Sequence, residues 1–211
     1  EGGVSTVGKQ YGFRVNAARC TGCKTCEMAC RDAYQLGETP SFRRVCEASG
    51  GTWMQEGAAW HHQVFTYYLS IACNHCDDPV CQQVCPSGAM RKQDDGFVVL
   101  DSHQCIGCGS CAFACPYKAP SYSRVLRVMR KCDGCRARVE EGRVPLCVEA
   151  GPMRALEFGE IDEVRGRHGS QCDVAPLPPG SYTRPNIVIT SHRHGCPSDT
   201  AQCVLANGKE I

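Results

Sequence analysis

The sequence lacks the long apolar runs that cross a lipid bilayer. No run of about 18 apolar residues occurs in the 211 residues, so we expect no membrane-spanning segment. An excess of charge is also missing: the formal net charge is +1, which gives no electrostatic reason to expect nucleic acid as a partner. The first ten residues, EGGVSTVGKQ, have neither the basic start nor the apolar segment of a signal peptide, and we expect none.

Cysteine, by contrast, is abundant, with 19 residues in the chain. Such a proportion is typical of small disulfide-rich domains or of metal proteins. Disulfide frameworks use cysteines in pairs, and this chain has an odd number, many of them in C-x₂-C groups. The composition therefore favours a metal-binding protein.

The most informative stretch runs from Cys105 to Pro116 and reads CIGCGSCAFACP. Its pattern, C-x₂-C-x₂-C-x₃-C-P, is the cluster-binding pattern of bacterial ferredoxins. The first three thiolates of such a run bind one iron–sulfur cluster, and the fourth ligates the neighbouring cluster. Gly107 and Gly109 allow the tight loop that wraps around a cluster, because glycine accepts positive φ values.

Three further groups repeat this theme. The four groups are numbered here along the chain, so that the run from Cys105 is the third. The first, CTGCKTCEMAC, has the same spacing from Cys20 to Cys30, and the second, CNHCDDPVCQQVCP, adds two residues before its third cysteine. The fourth opens with KCDGC and continues at Cys147, but Gly151 stands where the repeat predicts a cysteine, before Pro152. Zinc is the alternative for these groups, above all for the fourth, whose spacing resembles a zinc ribbon.

The ferredoxin rule assigns each group's last cysteine to the site of its partner group. The second and third groups are adjacent and pair with each other, so the first and fourth must pair across them. Four sites result, named here A to D. Site A comprises Cys105, Cys108, Cys111 and Cys85; site B, Cys73, Cys76, Cys81 and Cys115; site C, Cys132, Cys135, Cys147 and Cys30; and site D, Cys20, Cys23 and Cys26.

Site D lacks a fourth thiol, because its expected ligand position is Gly151. A four-iron cube there would need a substitute ligand, and without one the unligated iron would be lost to leave a 3Fe–4S cluster. These two outcomes and an empty site stay open at this point, and the prediction is three 4Fe–4S clusters and one 3Fe–4S or incompletely ligated 4Fe–4S cluster. The substitutes available are water or hydroxide, Glu149, Cys46, Cys172, Cys196 and Cys203.

No other motif predicts catalysis by acid–base or nucleophilic chemistry. The seven histidines show no triad or zinc-protease spacing, although His62 or His75 could donate a hydrogen bond near a cluster. The basic residues Arg124, Arg127, Arg130 and Lys131 either offset cluster charge or form a solvated face. An open iron at site D would permit a Lewis-acid enzyme, which is the alternative to a non-catalytic protein.

Short strands are predicted where β-branched and aromatic residues cluster, at residues 11–15, 64–71, 97–101 and 154–162, with a hairpin or insertion at 41–63. Beyond about residue 170, the stretch APLPPGSYTRPNIVIT is rich in proline and contains one short strand. We expect this region to be an extended tail that lies on a partner, because it has little material for a core of its own.

The order of the groups resembles the iron–sulfur electron-transfer subunit of bacterial dimethyl sulfoxide reductase and its relatives. The resemblance is carried by YGFRVNAARCTGCKTCEMAC, SFRRV, the stretch from YYLSIACNHCDDPVCQQVCPSGAM through DGFVVLD, CIGC, ACPYKAP, KCDGC and APLPPGSYTRPNIVI. It implies an α+β fold of two bacterial-ferredoxin-like modules with pseudo-twofold pairing. Gly151 departs from the family, whose members end the fourth group in cysteine. The expected division is residues 1–63 and 126–170 for the first module, 64–125 for the second and 171–211 for the tail.

The resemblance also implies a function, namely the relay of electrons between a membrane anchor that oxidises quinol and a molybdopterin catalytic subunit that reduces dimethyl sulfoxide or a similar acceptor. It implies that site D is the site nearest the molybdenum. The alternative is the equivalent subunit of a formate dehydrogenase, a polysulfide or thiosulfate reductase, or a hydrogenase complex. By analogy, the subunit is peripheral on the periplasmic face of the bacterial inner membrane and is exported with its catalytic partner.

Overall fold

The structure, a computed structural model, describes residues 8–208. Most of the N-terminal stretch on which the signal-peptide expectation depends, and the last three residues of the expected tail, lie outside this range. Six α-helices occur in the described chain: α1 Thr25–Ala33, α2 Val80–Gln83, α3 Ser110–Ala114, α4 Arg136–Glu140, α5 Leu146–Ala150 and α6 Ile161–His168. Within residues 8–208, no helix combines the length and the apolar character needed to cross a bilayer.

The strands are short and mostly antiparallel. They are β1 Tyr11–Asn16, β2 Arg44–Gly50, β3 Trp53–Glu56, β4 Ala59–His62, β5 Phe65–Ile71, β6 Met90–Lys92, β7 Val98–Leu100, β8 Ser121–Ser123, β9 Val128–Arg130, β10 Leu156–Glu160, β11 Ile187–Thr190 and β12 Cys203–Leu205. The fold is thus a mixture of helices and small sheets. The strands predicted at residues 11–15, 64–71, 97–101 and 154–162 are all present, each within a few residues of its predicted bounds, and the region 41–63 contains the β3–β4 hairpin.

Two three-stranded sheets form the centre of the molecule. In the first, β1 lies between antiparallel β10 and parallel β11, so Phe13 faces Phe158 on one side and Ile187 on the other. In the second, β2 lies between β12 and β5. The largest apolar core includes Val15 of the first sheet and Leu69 of the second, both with no exposed surface. The two sheets therefore share one core.

Paired helices and hairpins hold the cysteine loops against these sheets. Helix α1 of the first cysteine group contacts α5 of the fourth, and α2 of the second contacts α3 of the third. The hairpins β6–β7 and β8–β9 pair only with themselves among the described strands. Long-range contacts thus join the two ends of the cysteine-rich region, whereas its middle is built from neighbouring segments.

The C-terminal segment belongs to the core of this chain, which corrects the expectation of an extended tail separate from it. Strand β11 completes the first sheet and β12 completes the second. Val174, Leu177 and Ile189 are buried in the largest core. The prolines break regular structure, but the apolar run at residues 187–189 provides enough buried surface to pair with β1. A contact of the outer side of this segment with a partner stays a prediction.

Because β11 is part of the core, replacing Ile189 with alanine should destabilise the isolated chain. Ile189 is 1% exposed, and removing its buried methyl groups is expected to lower the free energy of unfolding by about 2–5 kcal/mol. Denaturant unfolding of the cluster-loaded protein measures this loss. Val204→Ala on β12 is the matched control, since Val204 is 63% exposed and its truncation should change stability by less than about 0.5 kcal/mol. Equal effects of the two substitutions would contradict this placement of β11.

Candidate iron–sulfur sites

Site B surrounds an internal cavity. Its four thiols line this cavity together with apolar side chains such as Val98 and Tyr117, and with Lys131. Burial raises the pKa of Cys76 to about 12, and the neighbouring site B thiols add to the rise. Thiols crowded together in this way bind metal as thiolates, which removes the protons that burial otherwise retains. The cavity and its donor set therefore fit an iron–sulfur cluster.

Cys73 of site B differs from its neighbours in its charge environment. Although burial alone would raise it, the pKa of Cys73 is lowered to about 5 by the adjacent His75 and Lys131. The Lys131 ammonium donates a hydrogen bond to the Cys73 sulfur at 3.5 Å. Nδ1 of His75 accepts the Val98 N–H at 3.0 Å, which fixes the orientation of the ring. His75, with 1% exposure, is a buried group beside the site, unlike the exposed His62.

In site A, Cys85, the last cysteine of the second group, lies among the thiols of the third group. Burial raises the pKa of Cys111 to about 11, with Cys105 and Cys85 as negative neighbours. The backbone N–H of Met129 donates to the Cys105 sulfur at 3.4 Å. Cys108, in contrast, is exposed. Site A therefore lies at the surface, with one side open to solvent or to a partner.

Site C joins cysteines that are far apart in the sequence. Burial raises the pKa of Cys30 to about 12, and Cys147 and Cys135 of the fourth group add to the rise. The backbone N–H of Gly134 donates to the Cys132 sulfur at 3.4 Å. The fold thus places Cys30 among the thiols of the fourth group, where the ferredoxin rule assigns it.

Site D collects the first three cysteines of the first group. Burial raises the pKa of Cys20, with Cys26 and Cys23 as negative neighbours. The Cys26 sulfur lies 3.1 Å from the hydroxyl oxygen of Ser70 on β5. Cys23 is exposed, and hydrogen bonds from Thr25 lower the pKa of its thiol. Like site A, this site has an exposed side.

The four sites follow one another in a series. Cys111 of site A adds to the raised pKa of Cys81 in site B, and Cys73 of site B adds to that of Cys132 in site C. The same relation links Cys26 of site D to Cys147 of site C. Sites A and D, the two with exposed thiols, therefore stand at opposite ends, and sites B and C lie between them.

Among residues 8–208, no three His, Cys, Asp or Glu side chains are grouped closely enough to hold a single metal ion. The four thiols of site B instead line a cavity.

Comparison with known proteins places the chain in a family. The 4Fe-4S dicluster domain family matches residues 64–161. The probable anaerobic dimethyl sulfoxide reductase chain YnfG of Escherichia coli is 55% identical over 202 residues, which cover 96% of this chain and 98% of the relative. The B subunit of anaerobic dimethyl sulfoxide reductase from the same organism is 54% identical over the same shares. This protein belongs to the family of anaerobic dimethyl sulfoxide reductase iron–sulfur subunits.

A more distant relative has a different substrate in its name. The thiosulfate reductase electron transfer subunit PhsB of Salmonella typhi is 34% identical over 155 residues, covering 73% of this chain and 78% of the relative. The identity to the dimethyl sulfoxide reductase subunits is higher and extends over almost the whole chain. Members of the family carry electrons and are not catalytic subunits.

Gly151, where the cysteine pattern predicts a fourth ligand for site D, resembles Cys115 in its backbone. It follows α5 directly with φ −68° and ψ 108°, and Cys115 follows α3 with φ −76° and ψ 115°. The two residues thus have nearly the same backbone conformation at the end of equally long helices. Of the possible substitute ligands, Glu149 forms an ion pair with Arg138, and Cys203 lies 3.5 Å from the hydroxyl oxygen of Tyr67.

Sequence reasoning missed two polar contacts of these sites and left a third unresolved. Ser70 contacts Cys26, and a buried arginine, Arg43, lies beside it, yet neither stands in a motif. Lys131 is one of four basic residues for which the sequence leaves two interpretations open. The structure separates them, because Lys131 is buried beside site B whereas Arg124 and Arg127 are exposed. A buried cation has no signature in a sequence, since arginine and lysine are mostly surface residues.

Proposed function

We propose that this chain relays electrons through four iron–sulfur sites, between a membrane anchor that oxidises quinol and a molybdopterin catalytic subunit that reduces dimethyl sulfoxide or a similar acceptor. The observation that carries the proposal is the series of four thiol sites with exposed ends. When bound, an iron–sulfur cluster accepts and releases one electron. The protein's own part is to space the sites, to exclude water from those in the middle and to direct N–H groups at the sulfurs.

Fifteen cysteines would hold the clusters. Three 4Fe–4S clusters fit the complete sets of sites A, B and C, and we propose a 3Fe–4S cluster for site D, with an incompletely ligated 4Fe–4S cluster as the alternative. Support comes from Gly151, which has no side-chain atom to donate at the position of a fourth ligand. These ligands are Cys20, Cys23, Cys26, Cys30, Cys73, Cys76, Cys81, Cys85, Cys105, Cys108, Cys111, Cys115, Cys132, Cys135 and Cys147.

The sites are proposed to form two ferredoxin-like modules related by pseudo-twofold pairing. The contact of α1 with α5, and that of α2 with α3, support this arrangement, because each contact joins the two cysteine groups expected to share sites. In this arrangement residues 64–125 form the second module with sites A and B. The first module, with sites C and D, uses residues on both sides of it.

The partners are proposed to bind at the two exposed ends of the series. Site D would face the catalytic subunit and site A the anchor, on the periplasmic side of the bacterial inner membrane. Phe113, which follows Cys111 and Ala112 in α3, is 96% exposed, and Ile106 between Cys105 and Gly107 is 67% exposed. Exposed apolar side chains of this size around a site are typical of a surface that binds another protein.

The function can be tested on the complex purified with its membrane anchor and catalytic subunit. Adding a reduced quinol analogue should produce the electron paramagnetic resonance signals of reduced clusters. Adding dimethyl sulfoxide should then remove these signals. Iron analysis of the isolated subunit should give roughly 15 atoms per chain. A colourless protein that contains zinc and lacks acid-labile sulfide would overturn the proposal.

A further inference from the structure

Arg43 is a buried cation between sites C and D. Its side chain is 1% exposed, and its Nη1 donates to the backbone oxygen of Ser70 at 2.8 Å. The hydroxyl of the same Ser70 contacts Cys26 of site D. On the other side, Cys147 and Cys132 of site C are the two thiols whose negative charge most favours the guanidinium cation.

Protein nitrogen and oxygen atoms accept only some of the hydrogen bonds that the guanidinium of Arg43 can donate. Its Nε and Nη2 atoms are buried and form no hydrogen bond with a nitrogen or oxygen atom of residues 8–208, while the Cys147 sulfur of site C lies within hydrogen-bonding reach of the guanidinium. Neither an aspartate nor a glutamate forms a salt bridge with it in this part of the chain. The ring of Phe13 lies 4.6 Å from the guanidinium carbon, which excludes water from that side. A buried arginine with unused donors is costly unless an anion accepts them, and the anionic groups at hand are those of sites C and D.

Lys131 occupies the equivalent place between sites B and C. It is 6% exposed, and its Nζ donates to the sulfur of Cys73 in site B at 3.5 Å and to the backbone oxygen of Cys132 in site C at 2.9 Å. A third bond goes to the backbone oxygen of Val98. Three donated hydrogen bonds require the ammonium form, since a neutral amine has only two N–H groups. Among the described residues, Lys131 likewise has no acidic partner.

We propose that Arg43 and Lys131 are positioning residues whose fixed positive charges stabilise neighbouring clusters when these are reduced. Lys131 serves the clusters of sites B and C, and Arg43 serves those of sites C and D. This inference rests on the proposed function. Each electron added to a cluster makes it more negative and opposes reduction of the next cluster. A fixed cation at the junction lowers this repulsion for both, because the interaction between charges is strong where water is excluded. The two cations thereby allow adjacent sites to be reduced together.

The proposal predicts which clusters respond to each substitution. Lys131→Met should lower the reduction potentials of sites B and C and leave site D unchanged. Arg43→Met should lower those of sites C and D and leave site B unchanged. Site A should respond to neither, and site C should respond to both. For each affected site we expect at least a tenfold fall in the equilibrium constant for reduction, which corresponds to about 59 mV for one electron.

The experiment is a redox titration of the isolated, cluster-loaded subunit, followed by electron paramagnetic resonance, together with iron and sulfide analysis. Arg44→Met is the matched control for Arg43. Arg44 is the next residue on the chain and donates instead to the backbone oxygens of Tyr117 and Lys118. Lys9→Met, which removes a surface ion pair with Glu160, is the control for Lys131. Neither control should shift any potential by the amount that corresponds to a tenfold change.

Charge-preserving variants distinguish the effect of the positive charge on the potentials from the effect of side-chain packing. Arg43→Lys and Lys131→Arg should keep the potentials near those of the original protein. If a methionine variant fails to load clusters, restored loading in its charge-preserving counterpart supports the proposal, and continued failure overturns it at that junction. Full loading with unchanged potentials, or a uniform shift of all four sites, overturns the proposal and leaves the relay function standing. Absence of clusters from the original protein would instead overturn the proposed function.

Discussion

Replacing Gly151 with cysteine is expected to abolish the resonance of a three-iron cluster in the oxidised protein and to add about one iron atom per chain. The physical reason is that the site lacks only a donor atom. The backbone at Gly151 already has the conformation of Cys115, a proposed ligand, and its φ of −68° is ordinary for a residue with a side chain. An added Cβ would meet its nearest neighbours, the backbone oxygens of Cys147 and Val148, at 3.7 Å, which is normal contact.

The measurement is electron paramagnetic resonance of the oxidised subunit, in which three-iron clusters give a signal and ordinary 4Fe–4S clusters are silent. Gly151→Ala is the control, because it adds the Cβ without a thiol and should keep the signal at its original intensity. A signal that persists in the cysteine variant would contradict the assignment of Gly151 to site D. An original protein that is silent when oxidised would show that another group completes a four-iron cluster there.

Replacing Cys30 with serine should disturb site C and spare site D, although Cys30 belongs to the same sequence group as the site D ligands. The reason is that Cys30 lies among the fourth-group thiols Cys135 and Cys147. Serine is a poor ligand for iron in these clusters, so we expect site C to lose at least one iron atom or its normal resonance, while the three-iron signal of site D remains.

For Cys26→Ser we expect the opposite result, namely that the site D signal is lost and site C is retained. Cys46→Ser serves as the control for a buried cysteine outside the fifteen proposed ligands. Cys46 lies on β2 opposite Leu69, and with a three-iron cluster at site D this substitution should leave all clusters loaded. If Cys30→Ser removed the site D signal and left site C intact, the sharing of ligands between the first and fourth groups would be wrong.

Local features of the fold could be predicted because they depend on neighbouring residues. The strand before Cys20 follows from a short run of aromatic and apolar residues, and the β3–β4 hairpin lies in the glycine-bearing, polar region where a hairpin or insertion is predicted. The place of the C-terminal segment could not be predicted in the same way. Its prolines suggest an extended tail, but Ile187–Thr190 pairs with a strand more than 170 residues earlier, and no local pattern specifies such a partner.

The same distinction between local pattern and tertiary packing applies to the candidate sites. Cysteine spacing is sufficient to propose which thiols share a site, because the ferredoxin pattern encodes that sharing. The surroundings of the thiols were not predictable, since Ser70, Arg43 and Lys131 reach the sites only through tertiary packing. His75 shows the same limit: its burial beside Cys73 distinguishes it from His62, yet neither histidine stands in a motif that separates the two.

The pairing of β1 with β10 and β11 has a consequence for how the protein is made. A ribosome releases the segment that holds sites A and B, residues 73–115, as one continuous stretch, so these sites can assemble while translation continues. Sites C and D must wait, because Cys30 needs residues 132–147, and the sheet behind them closes only when Ile187–Thr190 has emerged. Sites A and B thus draw their thiols from one continuous stretch, whereas the thiols of sites C and D come together in this sheet framework only on a nearly complete polypeptide.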